Sequence, residues 1–460
     1  MPQEFYRGLL TGGLLSVLGL SLAGSKVIDK LSDILLQRIM TEPYFRNPWE
    51  LVYALHRTSP QTTVETNLRS QYGKVIDRPL SGPRKFPSLD GLVFNPAQLA
   101  RPASPADTAV NLKVVIGPRA ARPMVIDIPI MVSAMAYGLA LSARAKIAIA
   151  KATARAGTAT NTGEGPFVPA ERTSARHIIL QWNRYWWNKE PEILKQADMI
   201  EIQFGQGARG GAGHVTGFKA IDPRIRKELG LAPGQDAVAH SRPPGAENPR
   251  NLARLVAHLR EVTGGVPIGV KLAAGQDLEK DLCLAVDAGV DAVAIDGAEA
   301  GTKGSPPVLQ DEFGLPTFYA VSRAGKFWNK NHLHGQVSLI VGGGLTTPGD
   351  FLKVLALGAD TVYIGSIALF ALAHTQVLKV LPWKPPVSIV FQDSPEHKRL
   401  RVNQAATSLA NFLNSCALEM AEGIKALGKS SVTEVTRHDL VALDPTTAAA
   451  AGVPLAYRTP

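Results

Sequence analysis

The chain has 460 residues, with 49 Lys and Arg against 39 Asp and Glu, 45% hydrophobic residues, 42 Gly, 33 Pro and 2 Cys. This length and apolar content support a sizeable core and exclude a disordered chain. The two cysteines, Cys283 and Cys416, exclude a disulfide framework and cannot alone hold an iron–sulfur cluster, which takes about four thiolates; no metal site is expected. The formal charge of +10 is dispersed, with no run of five Lys/Arg and no aromatic-interleaved basic stripe, so anionic small ligands fit it better than nucleic acid.

Residues 8–25 contain no charged side chain and are rich in leucine. As a helix they would span about 27 Å, just under a hydrocarbon core. Three readings compete: a membrane anchor, a helix or hairpin packed on the domain, and a signal peptide. Lys26, Lys30 and Arg38 follow the segment and place the body on the cytoplasmic side if it inserts. Residues 41–110, with Pro43, Pro48, Pro60, Pro79 and five further prolines, read as an irregular wrapping segment.

From residue 111 short apolar runs alternate with helical patterns. Residues 112–116 and 124–128 read as a hairpin closing one end of a barrel. Strands are expected at 130–133, 157–160, 199–203, 267–272, 292–296, 338–341 and 361–364. Helices are expected between them, at 142–156, 252–263, 279–288, 317–326 and 348–357. Strand–helix units at this spacing, about eight in roughly 250 residues, point to a closed (β/α)8 TIM barrel over 111–380. Residues 381–460 read as a C-terminal helical extension, with apolar periodicity at 405–427.

Two glycine-rich strand ends carry the strongest local signal: Gly342-Gly343-Gly344-Leu345 and, about 21 residues on, Gly365-Ser366. In barrels the loops after the last two strands commonly hold a phosphate, because glycine lets backbone N–H groups approach its oxygens and the next helix N-terminus favours the charge. Lys271 ends an apolar strand, where a buried ammonium needs an anion. It either stabilises negative charge on a cofactor or substrate, or pairs with a neighbouring carboxylate such as Asp296 or Glu201. Two polar loops at the same barrel end, 160–165 and 206–211, add amide, carboxylate and guanidinium groups.

Ser133-Ala134-Met135-Ala136-Tyr137-Gly138, Thr160-Asn161-Thr162-Gly163-Glu164-Gly165, Gln206-Gly207-Ala208-Arg209, Gly301-Thr302-Lys303-Gly304 and Gly342-Gly343-Gly344-Leu345 resemble the flavin-binding synthase domain of glutamate synthases, over roughly residues 110–430. The resemblance implies a barrel that binds FMN and reduces 2-iminoglutarate, formed from 2-oxoglutarate and ammonia, to L-glutamate. It places Ser133, Met135 and Asn161 against the isoalloxazine and Lys271 near its N1 edge. Gly343, Gly344, Gly365 and Ser366 would hold the phosphate. Glu164, Gln206 and Lys271 would border the substrate, with Arg209 and Lys303 as further anion contacts.

The departures from the family pattern are informative too. No cysteine stands in 371–382, where cluster-bearing members carry three, so no iron–sulfur cluster is expected. Lys303 replaces a glycine, and Gly342 replaces an aspartate that in the family meets the ribityl chain. An electron-donor protein or reductase subunit is the partner implied, with ammonia from a further subunit or from solution, and membrane association depends on residues 8–25. Two other readings stay open: an FMN barrel oxidising or isomerising another small anion, and a non-catalytic flavin-binding subunit.

Overall fold

In the computed structural model, which describes residues 27–458, the chain forms two compact units, Met1–Ile76 and Asp77–Pro460. The apolar segment 8–25 lies outside the described residues. No helix among the described residues is long and apolar enough to cross a membrane.

The first unit is helical, at residues 27–41, Trp49–Thr58 and Pro60–Tyr72. The last two helices fall within the stretch that proline content reads as irregular. Pro48 is the N-cap residue of one helix and Pro60 opens the other, positions where a missing N–H costs nothing and a fixed φ helps. Ser59 caps the second helix by accepting from Thr62 N–H at 3.1 Å.

The second unit is built on eight parallel strands: β1 Ile130–Val132, β2 Ala159–Asn161, β3 His177–Trp182, β4 Met199–Gln203, β5 Ile268–Ala273, β6 Ala292–Asp296, β7 Ser338–Gly342 and β8 Thr361–Ile364. The hydrogen-bonded order is β1–β8–β7–β6–β5–β4–β3–β2. The remaining seam is bridged by Asp127 N–H to Gly157 O at 2.8 Å and by the Thr158 hydroxyl to Ile130 O at 2.6 Å. Most strands are buried along their whole length, which is why they read as continuous apolar runs. β3 was absent from the sequence expectation, which took 199–203 as the third strand; it is the fourth. Its apolar run Ile178-Ile179-Leu180 is too short to declare itself.

The helices take their places by capping and by one-sided burial. Pro249–Thr263 starts at Asn248, which accepts from Asn251 N–H, and stops at Gly264 with φ +69°. It buries Leu252, Leu255, Val256 and Leu259, one stripe of a 3.6-residue period. Pro348–Ala356 opens with a reciprocal Thr347–Asp350 capping box.

The hairpin is real: Val114–Ile116 pairs antiparallel with Met124–Ile126. Gly117 N–H donates to Ser338 Oγ, at the start of β7, at 3.0 Å, so the hairpin covers the N-terminal barrel end. The chain's flanks meet each other, Leu92–Phe94 pairing antiparallel with Leu440–Ala442. The helix Val402–Ala426 packs on Ala143–Arg155. Within the second unit, Arg78 makes a two-pronged ion pair with Asp311, both contacts 2.8 Å. The opposite, C-terminal barrel end is left to the βα loops.

Candidate active site

The C-terminal ends of the strands open into a cavity of about 560 Å³. Its wall includes Ser133 and Met135 after β1, Glu164 after β2, Gln206 and Arg209 after β4, and Lys271 on β5. Lys303, Gly343, Gly344, Gly365 and Ser366 complete the set the sequence pointed to.

Strand register sets the centre. Lys271 stands opposite Gln203 on β4 and Ala294 on β6, while Asp296 stands opposite Gly342 on β7. Lys271 Nζ lies 3.2 Å from Asp296 Oδ2, 3.3 Å from Ser133 Oγ, and 5.3 Å from the Tyr363 ring centre. Burial alone would lower the lysine's pKa, but the charges of Asp296 and Glu201 outweigh it and hold the ammonium above its ordinary range. Lys271 is thus paired with the neighbouring carboxylate of Asp296, and it also lines the cavity. Asp296 also accepts from Gly207 N–H at 3.2 Å, which fixes the turn that carries Gln206 and Arg209.

On the glycine side, Gly343 has φ +125°, a conformation closed to other residues. A Cβ at Gly342 would lie 2.9 Å from Asp296 Oδ1. An aspartate there would press a second carboxylate against Asp296, so glycine at 342 matches an acidic group delivered from the neighbouring strand. A Cβ at Gly365 would meet nothing within 4 Å, since the cavity lies in front of it. The helix that follows, Ser366–Ala373, has no side-chain cap, leaving its first N–H groups to an anion. The helix Thr317–Lys330 differs, because Glu299 Oε2 already accepts from Thr317 N–H at 2.8 Å and from its hydroxyl at 2.5 Å.

Across the cavity stands a charged cluster. Glu164 Oε1 lies 3.6 Å from His214 Nε2, which is 2.9 Å from the Tyr185 hydroxyl. Burial lowers the His214 pKa to about 4, with Glu164 opposing and Arg209 and Arg184 reinforcing the shift, so the imidazole is neutral above pH 5. Arg209 donates to Gly304 O at 2.8 Å. Arg209 Nε, Glu164 Oε2 and Gln181 Oε1 are buried without a hydrogen-bond partner among the described residues, and all three side chains line the cavity. Buried polar atoms in that condition invite a ligand.

Asn161 stands apart from the other expected residues. It is fully buried and does not line the cavity. Its amide nitrogen donates to Glu201 at 3.0 Å and its oxygen accepts from Gly163 N–H at 3.0 Å. It supports the loop carrying Glu164. Glu201 also accepts from Gln181 at 2.8 Å and Tyr363 OH at 2.9 Å, so one carboxylate ties β2, β3, β4 and β8 beneath the cavity. Lys303 reaches Asp393 at 2.7 Å and sits 5.4 Å from the Phe391 ring centre. Its ammonium is thus engaged with the C-terminal extension at the cavity mouth. Gln181, His214, Tyr363 and Glu299 were not legible as site residues. Gln181 rides on the unrecognised β3, Tyr363 and Glu299 stand just before the Gly365 and Gly301 motifs but outside them, and His214 has no motif beside it.

Comparison with known proteins places these features in context. A family model described as a conserved region in glutamate synthase matches residues 101–430. A glutamate synthase large subunit-like protein of Rhizobium meliloti is 34% identical over 81% of this chain and 88% of its own length. An archaeal-type glutamate synthase [NADPH] of Thermotoga maritima is 31% identical over 71% of this chain and 64% of its own. An archaeal glutamate synthase [NADPH] of Archaeoglobus fulgidus is 31% identical over 67% of this chain and 60% of its own. Among solved structures, a chimera of (S)-mandelate dehydrogenase superposes with a TM-score of 0.50 at 12% identity, over 76% of this chain and 88% of that one, a likeness of fold alone.

Proposed function

The chain belongs to the glutamate synthase family, and on that premise we propose that it is an FMN-dependent oxidoreductase that reduces the imine of 2-oxoglutarate to L-glutamate. The observation that carries the reading is one cavity joining a glycine cradle, a buried lysine ammonium and charged side chains, Arg209 and Glu164, that each keep one polar atom without a partner among the described residues.

The residues present fit a phosphorylated flavin. Gly343, Gly344, Gly365 and the uncapped start of Ser366–Ala373 would hold the phosphate. Ser133, Met135 and Lys271 would border the ring. Bound there, FMN supplies a hydride equivalent from N5. Lys271, protonated throughout the neutral range by its carboxylate neighbours, sets a fixed positive charge against the negative charge of reduction. Its partner Asp296 and the Ser133 hydroxyl fix its orientation.

For the substrate, the Arg209 guanidinium offers an unpaired N–H to a carboxylate, and the Gln206 side chain borders the same space. Glu164, with an unpartnered oxygen, can accept a proton from an attacking ammonia and return one to the reduced nitrogen. Condensation of 2-oxoglutarate with ammonia releases water and leaves an imine; a hydride on carbon and a proton on nitrogen then give glutamate. Asn161 and Lys303 act through others in this scheme, one beneath the Glu164 loop and one at the mouth. The electrons come from a partner, and the ammonia from a partner or from solution.

The test is anaerobic reduction of the flavin-loaded chain followed by mixing with candidate oxo acids. Reoxidation by 2-oxoglutarate that requires ammonium and yields glutamate is expected. Reoxidation by 2-oxoglutarate equally fast without ammonium, or a chain that takes up no FMN, would overturn the proposal.

A further inference from the structure

Two stretches from distant parts of the chain form facing rims at the cavity mouth. One rim is the loop of residues 299–305 after β6. The loop after β4 holds it, Arg209 donating to Gly304 O at 2.8 Å and the Thr302 hydroxyl to Gly207 O at 3.0 Å. The strap of residues 77–82 holds it as well, the Ser81 hydroxyl donating to Glu299 O at 3.0 Å and Arg78 N–H to Ser305 O at 3.3 Å. The other rim is the stretch 385–394 of the C-terminal extension. Its backbone is tied to the loop after β1, with Ser142 N–H donating to Val390 O and Gln392 N–H to Ala140 O, both at 2.9 Å.

Lys303 reaches from the first rim to the second. Its ammonium lies 2.7 Å from Asp393 Oδ2 and 5.4 Å from the Phe391 ring centre. Among the described residues no other ion pair or hydrogen bond joins residues 299–305 to residues 385–394. The cavity of about 560 Å³ and a second one of about 260 Å³ share Asp77, Pro79, Lys303, Phe391 and Asp393 in their walls, so the pair stands on the boundary between the two. The lysine side chain is 21% exposed and the aspartate 60%. Water and salt compete for a pair as open as this, so it ties the rims without locking them. Each rim is bound to the barrel by several hydrogen bonds, and the single weak tie between them is the element able to open and close.

We propose that Lys303 and Asp393 form a clasp across the cavity mouth, which parts to let a ligand in or out. Lys303, which stands where the family pattern has glycine, thus serves passage and not substrate contact. Removing either partner unties the rims and speeds passage. A lysine that merely drew anions toward the cavity would behave differently: its loss would slow an anion's entry, and loss of the aspartate would speed it. The clasp gives the same sign for both losses, and gives it for an uncharged visitor too.

The test is a thiol reporter inside the cavity. Ser366 lines the wall and differs from cysteine by one atom, while Cys283 is an exposed native thiol and Cys416 is buried. The full chain carrying Ser366→Cys and Cys283→Ser, freed of bound flavin, is mixed with an uncharged maleimide dye, and the labelling rate is followed by fluorescence. Adding Lys303→Ala or Asp393→Ala should each raise that rate about twofold to fivefold, the range over which an exposed ion pair shifts an opening equilibrium. Raising salt from about 25 mM to about 500 mM should speed labelling of the clasped chain and leave both Ala variants unmoved. The swap Lys303→Asp with Asp393→Lys should return the rate toward its slow value, and Lys280→Glu, which breaks an exposed pair elsewhere, should change nothing. No acceleration, acceleration by only one of the two Ala variants, or a swap as fast as either of them overturns the clasp. Neither the dye nor these variants involve the flavin, so a chain that takes up no FMN counts against the function proposed above, and the labelling rates alone decide the clasp.

Discussion

Replacing Lys271 by methionine keeps most of the side chain's volume and removes its charge from a site where the lysine and Asp296 side chains are only 2% and 6% exposed. At 3.2 Å and an effective dielectric near 20, the direct attraction is about 5 kcal/mol, offset by the cost of taking both ions from water. The measurable quantity is the cost of stranding one partner when the other leaves. Asp296 then keeps the Gly207 N–H at 3.2 Å but no cation at that distance, and breaking such a buried pair costs about 3–5 kcal/mol. The assay is urea unfolding followed by far-UV dichroism and tryptophan fluorescence together, so that one cooperative transition is tracked. Lys271→Met and Asp296→Leu should each be strongly destabilised, and the double variant should recover at least about 2 kcal/mol relative to their sum. The pH dependence has a definite sign. A lysine held above its unfolded pKa contributes stability that is present below about pH 10.4 and is lost only as pH rises through the folded value, so the difference between wild type and variant should be flat from pH 6 to 9. Single losses below about 1 kcal/mol that simply add would show that the two charges do not hold each other, and would remove the basis for a fixed cation at the cavity.

Three other residues give outcomes of their own. Burial raises the Asp360 pKa from 3.8 to about 6, with the Leu339 N–H opposing; the folded state therefore holds the proton more tightly and loses stability as pH rises from about 4 to 6. Asp360→Asn should stabilise by roughly 3 kcal/mol at pH 8 and by almost nothing at pH 3, and equal effects at both pH values would contradict the burial argument. His214, lowered from 6.5 to about 4, loses stability as pH falls between those values because the unfolded chain takes the proton first; His214→Gln should flatten that limb of the stability–pH curve measured by thermal unfolding. Gly365→Leu should weaken FMN binding at least about tenfold in a fluorescence titration while leaving the melting temperature within about 2 °C, because no protein atom lies near its Cβ; an unchanged affinity would move the phosphate elsewhere.

Much of the site was legible because glycines and polar residues at strand ends have few other reasons to be there. Gly343 needs its left-handed backbone wherever the chain folds this way, and Lys271 in an apolar strand must find an anion. Six strands declared themselves by apolar runs, and β2, Ala159-Thr160-Asn161, by its place between a helix and a glycine-rich loop. β3 did not, and with it went Gln181. Pro48 and Pro60 misled for a related reason: proline breaks a helix interior but favours a helix start, and composition does not say which position it occupies.

The amino-acid sequence by itself determined the strand–helix alternation, the glycine cradle and the family, since these depend on local periodicity and on motifs in order along the chain. Only the tertiary structure decided which carboxylate Lys271 meets, that Glu201 gathers Asn161, Gln181 and Tyr363 beneath the cavity, and that Lys303 turns to Asp393. Those partners lie tens to hundreds of residues apart. Their meeting is set by strand register around a nearly closed sheet and by where the C-terminal extension returns, neither of which is written in any local stretch of sequence.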